Sequence, residues 1–383
     1  DDIEPDRAIV EVATRVQNTT RRTRTLGLQW QIISPSGESV AAGTSPVTVL
    51  PGDDVVARAR LLVPHAELWS PGHPALHEVH LTLTDGDEVI DTDVVSFGIR
   101  RLQLDVVNGL RVNGERVDLR GACVHHDNGP LGAVTHAVAE DRKVRLLKEG
   151  GFNAIRSAHN PASRALLDAC DRHGVLVMDE LSDVWNTAKT GFDASIGFDK
   201  RWQRDVASLV AKDRNHPSVI LYSIGNEILE LATPHGATWS RRIAEEFRRL
   251  DPTRFITNGI NGILANMDKM DDVIGDIAAA DPNTLMTGLG EQMAAANASE
   301  LVTWSTEESA AVLDVVGFNY GDSRYALDAE LFPNRIIVGS ETFPDRIATL
   351  WNDVRRFPHL IGDFTWTGFD YIGEAGIGRV EYT

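Results

Sequence analysis

The first 99 residues alternate apolar and polar positions in short runs. Residues 8–16 and 77–84 show this period of two, which is typical of strands with one buried face and one solvated face. Clusters of Gly, Pro, Asp and Ser separate the runs, for example at 34–37 and 85–87, and they indicate turns. About seven short strands in about 95 residues predict an immunoglobulin-like β-sandwich over residues 1–99.

The pattern changes after residue 100. A short hairpin is expected to turn at 112–115. Continuous apolar runs then predict eight strands, at 117–123, 153–157, 174–179, 219–224, 254–258, 314–318, 335–339 and 360–365. Helical patterns lie between most of them, including 140–149, 163–173, 198–213, 238–250 and 305–312. Strands that alternate with helices in this way predict an α/β fold, a (β/α)8 TIM barrel over residues 100–383.

The sequence continues only briefly past the eighth predicted strand, which leaves little room for an eighth helix. We therefore expect a barrel that is truncated at its C-terminal end. Its closure would then depend on sequence outside this chain, or it would be imperfect.

Charge and hydropathy limit the classes of partner. The net charge of −19 disfavours binding to nucleic acid or to an anionic membrane. No window approaches the ~20 apolar residues that cross a bilayer. The first residues are acidic and polar and do not resemble a secretory signal, so we expect a cytoplasmic protein, with secretion as the open alternative. Cys123 and Cys170 lack metal-ligand spacing, which predicts buried thiols, with a disulfide as the alternative.

Two glutamates stand out at the ends of predicted strands. Active residues of a (β/α)8 barrel lie at the C-terminal strand ends, and Glu227 and Glu341 follow strands four and seven. Cleavage of a glycosidic bond needs a proton donor and a nucleophile, which two carboxylates at one barrel mouth supply when their pKa values differ. We also expect Asn226 to bind a sugar hydroxyl and Tyr320 to hold Glu341 ionised.

Several motifs carry a family resemblance: 69–71 with 97–100, 119–121 with 125–127, 153–161, and 213–220 ending at 225–227. Together they resemble glycoside hydrolase family 2, the family of β-galactosidases, β-glucuronidases and β-mannosidases. The match at 213–227 is the most specific. The resemblance implies that Glu227 is the catalytic acid/base and Glu341 the nucleophile. It also implies that further side chains line the sugar site: His125, Arg156, His159, Asp183, Trp185, Asn226, Tyr320 and Trp366.

The implied activity is that of a retaining exo-β-glycosidase with a carbohydrate substrate, no required cofactor and a homo-oligomeric state as a further expectation. β-Galactosidase is the leading activity. The Asn-x-Lys motif by which glucuronidases recognise a carboxylate is not found in the sequence. The alternatives are β-glucuronidase, β-mannosidase or α-L-arabinopyranosidase activity, or a carbohydrate-binding fragment without turnover. For single residues, Arg156 has the alternative of a salt bridge to Glu341 alone, and His159 that of a structural histidine.

A metal-dependent hydrolase is the other enzyme class that the barrel allows. His125, His126, Asp127 and His159 suggest metal ligands. However, adjacent histidines on a strand point to opposite faces, and the His-x-His spacing that would bring two rings to one metal is missing. We therefore expect no metal at the catalytic site, while a cation nearby stays open.

Overall fold

The computed structural model describes residues 2–270 and 290–370. The chain divides into two compact units. One comprises Asp1–Arg101 with Asn215–Pro217, and the other comprises Leu102–Arg214 with Ser218–Thr383. No helix in the described residues is long and apolar enough to cross a membrane.

The first unit contains two antiparallel sheets, with strand orders β1-β2-β5 and β4-β3-β6-β7. The strands are β1 Ile3–Glu4, β2 Arg7–Gln17, β3 Arg24–Ile33, β4 Ser39–Val49, β5 Asp54–Pro64, β6 His77–Asp85 and β7 Glu88–Phe97. Along β3, Leu28, Trp30 and Ile32 are buried, whereas Gln29 and Gln31 between them are exposed. This alternation forms a sandwich with an apolar core, and it confirms the predicted fold of this region.

The second unit begins with an antiparallel hairpin and continues as a closed barrel. The hairpin consists of β8 Leu102–Asp105, β9 Gly109–Val112 and β10 Glu115–Arg116, and it turns where the sequence predicts. The barrel strands are parallel neighbours in chain order: β11 Leu119–His125, β12 Ala154–Ala158, β13 Leu176–Glu180, β14 Val219–Asn226, β15 Phe255–Ile260, β16 Val316–Asn319, β17 Ile337–Thr342 and β18 Leu360–Phe369. The predicted TIM barrel is therefore confirmed.

The expectation of incomplete or externally completed closure is wrong for the strands. The last strand pairs with the first, from Leu119 opposite Gly362 to Ala122 opposite Thr365. Because β18 has a partner on each side, the ring closes with the strands of this chain alone. The expectation that little room remains for a helix after β18 concerns residues outside those that the structure describes.

Helices lie between successive barrel strands along the chain, and most of them pack against the outer faces of the strands. They are α1 Ala137–Glu149, α2 Arg164–His173, α3 Phe198–Asp213, α4 Pro234–Leu250, α5 Gly290–Asn297, α6 Glu300–Ala310, α7 Arg324–Leu331 and α8 Ile347–Arg356. Local sequence sets their ends. For example, Ser163 Oγ accepts from Leu166 N at the start of α2, and Gly174 adopts a φ of 68° at its end. Both cysteines are buried and free, which confirms the predicted thiols and excludes the disulfide.

The barrel strands end one to four residues later than their apolar runs predict. Half of the added residues are polar, and they include Glu180, Asn226, Asn319 and Glu341. All four are buried, because they face partners inside the barrel and therefore stay within the sheet. Polar character at these positions thus does not mark the end of a strand.

Candidate active site

Glu341 lies near the end of β17, where three side chains donate to its carboxylate. Tyr320 donates from its hydroxyl to Oε1 at 2.6 Å. Arg156 donates to Oε2 at 2.8 Å and Asn319 to the same oxygen at 3.2 Å. A buried carboxylate with this set of donors is held in one orientation.

The protonation of Glu341 depends on opposing influences. Burial and the negative charge of Glu227 raise its pKa, while Arg156, His159 and the Tyr320 hydrogen bond lower it, and the pKa is raised overall. Burial and the adjacent Glu341 raise the pKa of Tyr320, so its hydroxyl remains a donor. Because the charge of Glu227 acts on Glu341, protonation of Glu227 favours the ionised form of Glu341.

Arg156, on β12, is fully buried and connects the two carboxylates Glu341 and Glu180. Its guanidinium lies 2.8 Å from each of them. Glu180 also accepts from Ser223 Oγ at 2.6 Å and from His159 Nδ1 at 2.7 Å. Burial alone would raise the pKa of Glu180, but Arg156 and His159 outweigh it, so the pKa is lowered. Since the carboxylate only accepts, the bond fixes a proton on Nδ1 of His159 and turns Nε2 away from Glu180.

Asn226 ends β14 and joins this network to the rim of the barrel. Its Oδ1 accepts from Arg156 at 2.7 Å and from Asn319 at 2.8 Å. Its Nδ2 donates to Asp183 at 2.8 Å, and Lys189 holds the same carboxylate at 2.7 Å. As far as residues 2–270 and 290–370 show, this leaves one hydrogen of the Asn226 amide for a ligand.

Glu227 follows β14 with a backbone conformation that is uncommon for a residue other than glycine. Its φ is 45°, in the left-handed region, and its amide donates to Gly259 O at 2.7 Å. The register between β14 and β15 shifts just before this point, between Ser223 and Asn226. The Oε1 atom of Glu227 accepts from Asn261 Nδ2 at 2.8 Å. Within the described residues, Glu227 thus has fewer side-chain donors and more exposure than the buried Glu341.

Three rings form an aromatic wall beside the carboxylates. The Trp366 indole on β18 lies parallel to the His159 ring, with centroids 5.3 Å apart. His125 meets Trp366 edge to face at 4.9 Å, and its Nδ1 donates to Ala158 O at 3.1 Å. Burial lowers the pKa of His125, which favours the neutral ring. A partly exposed indole on a fixed stack offers an apolar face to a sugar ring.

The structure brings nearly all the predicted site residues into one connected group. The exception is Trp185, which is completely buried in the apolar core, where its Nε1 donates to Ile224 O at 2.8 Å. Its indole packs behind β14, the strand that carries Asn226. Sequence reasoning missed Glu180, Asn319 and Asn261. The first two stand at strand ends, where the position itself was a usable signal. Asn261 follows β15 with no motif to mark it.

Family models match both units. The description "Glycosyl hydrolases family 2" matches residues 1–100, and "Glycosyl hydrolases family 2, TIM barrel domain" matches residues 106–306. The chain belongs to glycoside hydrolase family 2. The family resemblance of the sequence motifs is therefore confirmed.

Relatives within the family differ in their stated activities. The β-galactosidase BoGH2A of Bacteroides ovatus is 28% identical over 97% of this chain. A putative β-glucuronidase of Formosa agariphila is 27% identical over 98%. The chain spans 48% and 36% of the length of these two relatives.

Solved structures agree in fold. A family 2 member from Bacteroides cellulosilyticus has a TM-score of 0.82 and 38% identity, over 97% of this chain and 43% of its own. Bacteroides uniformis β-glucuronidase 2 has a TM-score of 0.75 over 95% of this chain and 44% of its own, and at 21% identity it supports the fold alone.

Proposed function

We propose that the protein is a retaining exo-β-glycosidase in which Glu341 is the nucleophile and Glu227 the acid/base. The observation that carries the proposal is the unequal surroundings of the two carboxyl groups. Glu341 receives hydrogen bonds from Tyr320, Arg156 and Asn319, which suit a carboxylate that must remain ionised. Glu227 receives a side-chain bond from Asn261 at one oxygen, which leaves the other oxygen for proton transfer.

The reaction would proceed by double displacement. The Glu341 carboxylate attacks the anomeric carbon as the bond to the leaving oxygen breaks, and Glu227 delivers its proton to that oxygen. A water molecule then attacks the anomeric carbon and gives a proton to Glu227, which releases Glu341 from the glycosyl ester. Each step restores the protonation state that the other requires.

A neutral β-galactoside is the substrate that we propose. The similarity to a β-galactosidase over nearly the whole chain supports this choice. The charge of the described rim supports it as well. Asp183 lies beside Asn226, and Asp370 lies 3.5 Å from the His125 ring. The nearby cation Lys189 is already paired with Asp183. Because Lys189 is engaged by Asp183, it does not offer its charge to the carboxylate of a uronide, and the rim favours a substrate that brings hydroxyl groups.

The test is a panel of nitrophenyl glycosides given to the full-length protein: β-galactoside, β-glucuronide, β-mannoside and α-L-arabinopyranoside. We expect the β-galactoside to have the highest kcat/KM and NMR to detect the β-anomer of the sugar first. Initial release of the α-anomer would refute retention. Sugar binding without release of nitrophenol from any of the four would favour the carbohydrate-binding alternative.

Two substitutions distinguish the role of Glu341 from that of Glu227. We expect Glu341→Gln to remove nearly all hydrolysis. We expect Glu227→Ala to lose about 10²–10⁴-fold on unactivated substrates but to retain turnover of a 2,4-dinitrophenyl glycoside, whose leaving group needs no proton. Glu308→Gln, at an exposed position of α6, is the matched control and should leave both rates unchanged. An equal loss on both substrates would exclude the acid role of Glu227.

A further inference from the structure

We infer that Asn261 is a positioning residue that keeps the acid proton of Glu227 on Oε2, the oxygen that Asn261 does not contact. The inference rests on the proposed role of Glu227 as acid/base. Asn261 directly follows β15 and is 7% exposed. Its Nδ2 lies 2.8 Å from Glu227 Oε1, so it acts on the reaction through Glu227.

The backbone fixes the orientation of the Asn261 amide. The N–H groups of Ile263 and Leu264 both donate to its Oδ1, each at 3.1 Å. In the flipped orientation the NH₂ group would face these two donors, and the carbonyl oxygen would face the Glu227 carboxyl. Both contacts would be repulsive whenever Glu227 is ionised, so Nδ2 points to Glu227.

This orientation distinguishes the two oxygens of Glu227. An N–H donor needs an acceptor, and the carbonyl oxygen of a carboxylic acid accepts far better than its hydroxyl oxygen. Oε1 therefore serves as the acceptor in both protonation states. The proton sits on Oε2 when Glu227 acts as acid, and the same oxygen takes the proton from water when Glu227 acts as base.

A second tether makes the position of Glu227 depend on the same strand. Its backbone amide donates to Gly259 O at 2.7 Å, two residues before Asn261. With a φ of 45°, Glu227 has left the regular path of β14. Gly259 in β15 therefore holds its main chain, and Asn261, directly after β15, holds its side chain. The general acid is thus aligned by the neighbouring strand as well as by its own.

The Asn261→Asp variant distinguishes the role of Asn261 toward Glu227 from its role as acceptor for the Ile263 and Leu264 amides. Aspartate keeps an oxygen for the N–H groups of Ile263 and Leu264 but removes the donor to Glu227. We compare kcat/KM, which reports steps through glycosyl transfer to the enzyme, for phenyl and 2,4-dinitrophenyl β-galactosides. We expect a loss of about 10- to 100-fold on the phenyl substrate, part of what general acid catalysis provides. On the dinitrophenyl substrate we expect a loss of less than about 3-fold, because its departure needs no proton.

The matched control is Asn266→Asp. Asn266 lies in the same segment, is fully buried and donates to Gly262 O at 2.9 Å without contacting Glu227. This variant should change kcat/KM for the two substrates by the same factor. An Asn261→Asp variant that keeps full activity, or that loses equally on both substrates, would overturn the inference.

A measurement without turnover separates this inference from the proposed function. If the wild-type protein cleaves neither substrate, the proposed function fails. Neutron diffraction at acidic pH then locates the deuteron of Glu227 directly. A deuteron on Oε2, with the ND₂ group of Asn261 facing Oε1, supports the inference, and a deuteron on Oε1 overturns it.

Discussion

The core of the sandwich and the Arg156–Glu180 network inside the barrel are both shielded from water, but they are made of opposite kinds of residue. In the sandwich, Leu28, Trp30 and Ile32 are buried without charge. In the barrel, Arg156 and Glu180 are buried completely as a charged pair. Apolar burial stabilises a fold roughly in proportion to area, whereas a buried ion pair is useful only while every partner is in place. In the first region the cost of a substitution therefore follows the apolar area that is lost, whereas in the second it depends on which charge is left without its partner.

The largest effect is expected for Arg156→Met, which removes the cation between Glu180 and Glu341. Two buried carboxylates then lack their main partner, and we expect a loss of about 3–5 kcal/mol in the free energy of unfolding. Turnover should disappear as well. Denaturant unfolding and initial rates measure the two effects.

A double variant sharpens this first prediction. Adding Glu180→Gln removes one of the two unpaired charges and should restore part of the stability but none of the activity. If Arg156→Met alone were as stable as the wild type, the contrast between the two cores would not hold.

The second prediction concerns the sandwich. Trp30 is 2% exposed, and its Nε1 donates to Thr14 Oγ1 at 2.8 Å. We expect Trp30→Ala to cost about 3–5 kcal/mol through lost burial and a cavity. The pH profile of the protein that remains folded should not move, since no charge changes near the carboxylates. A shifted profile would show that this core also tunes the chemistry.

The smallest effect is expected for Tyr320→Phe, which removes one hydrogen bond from Glu341. That bond lowers the pKa of Glu341, so its loss raises the pKa further and the ionised nucleophile forms only at higher pH. The acid limb of kcat/KM should move up by roughly one pH unit. The free energy of unfolding of the Tyr320→Phe variant should fall by only about 1 kcal/mol. An acid limb that stays in place, or moves down, would contradict the role of Tyr320.

The strands and the two glutamates could be predicted because their signals are local. A continuous apolar run identifies a barrel strand wherever its partners lie, and Glu227 and Glu341 follow such runs directly. Trp185 lacked such a signal, because the sequence around a tryptophan in a loop does not show whether its side chain faces a ligand or the core. Only the packed structure shows it behind β14.

Pairings across the barrel could not be predicted, because they depend on register. Glu180 meets Arg156 and Ser223 from the two neighbouring strands, β12 and β14. Asn261 reaches Glu227 only because the register between β14 and β15 shifts before the strand ends. A shift of one residue moves every later side chain to the other face, and no local pattern records it.

Tyr320 shares the left-handed backbone of Glu227, with a φ of 52°, and it too follows a register shift. A regular strand sends neighbouring side chains to opposite faces, yet Asn319 and Tyr320 both reach Glu341. The irregular step thus doubles the number of side chains that one strand end delivers to the same carboxylate. Substitutions at two adjacent residues can therefore change the surroundings of one carboxylate together. The earlier residues of the strand still form the barrel.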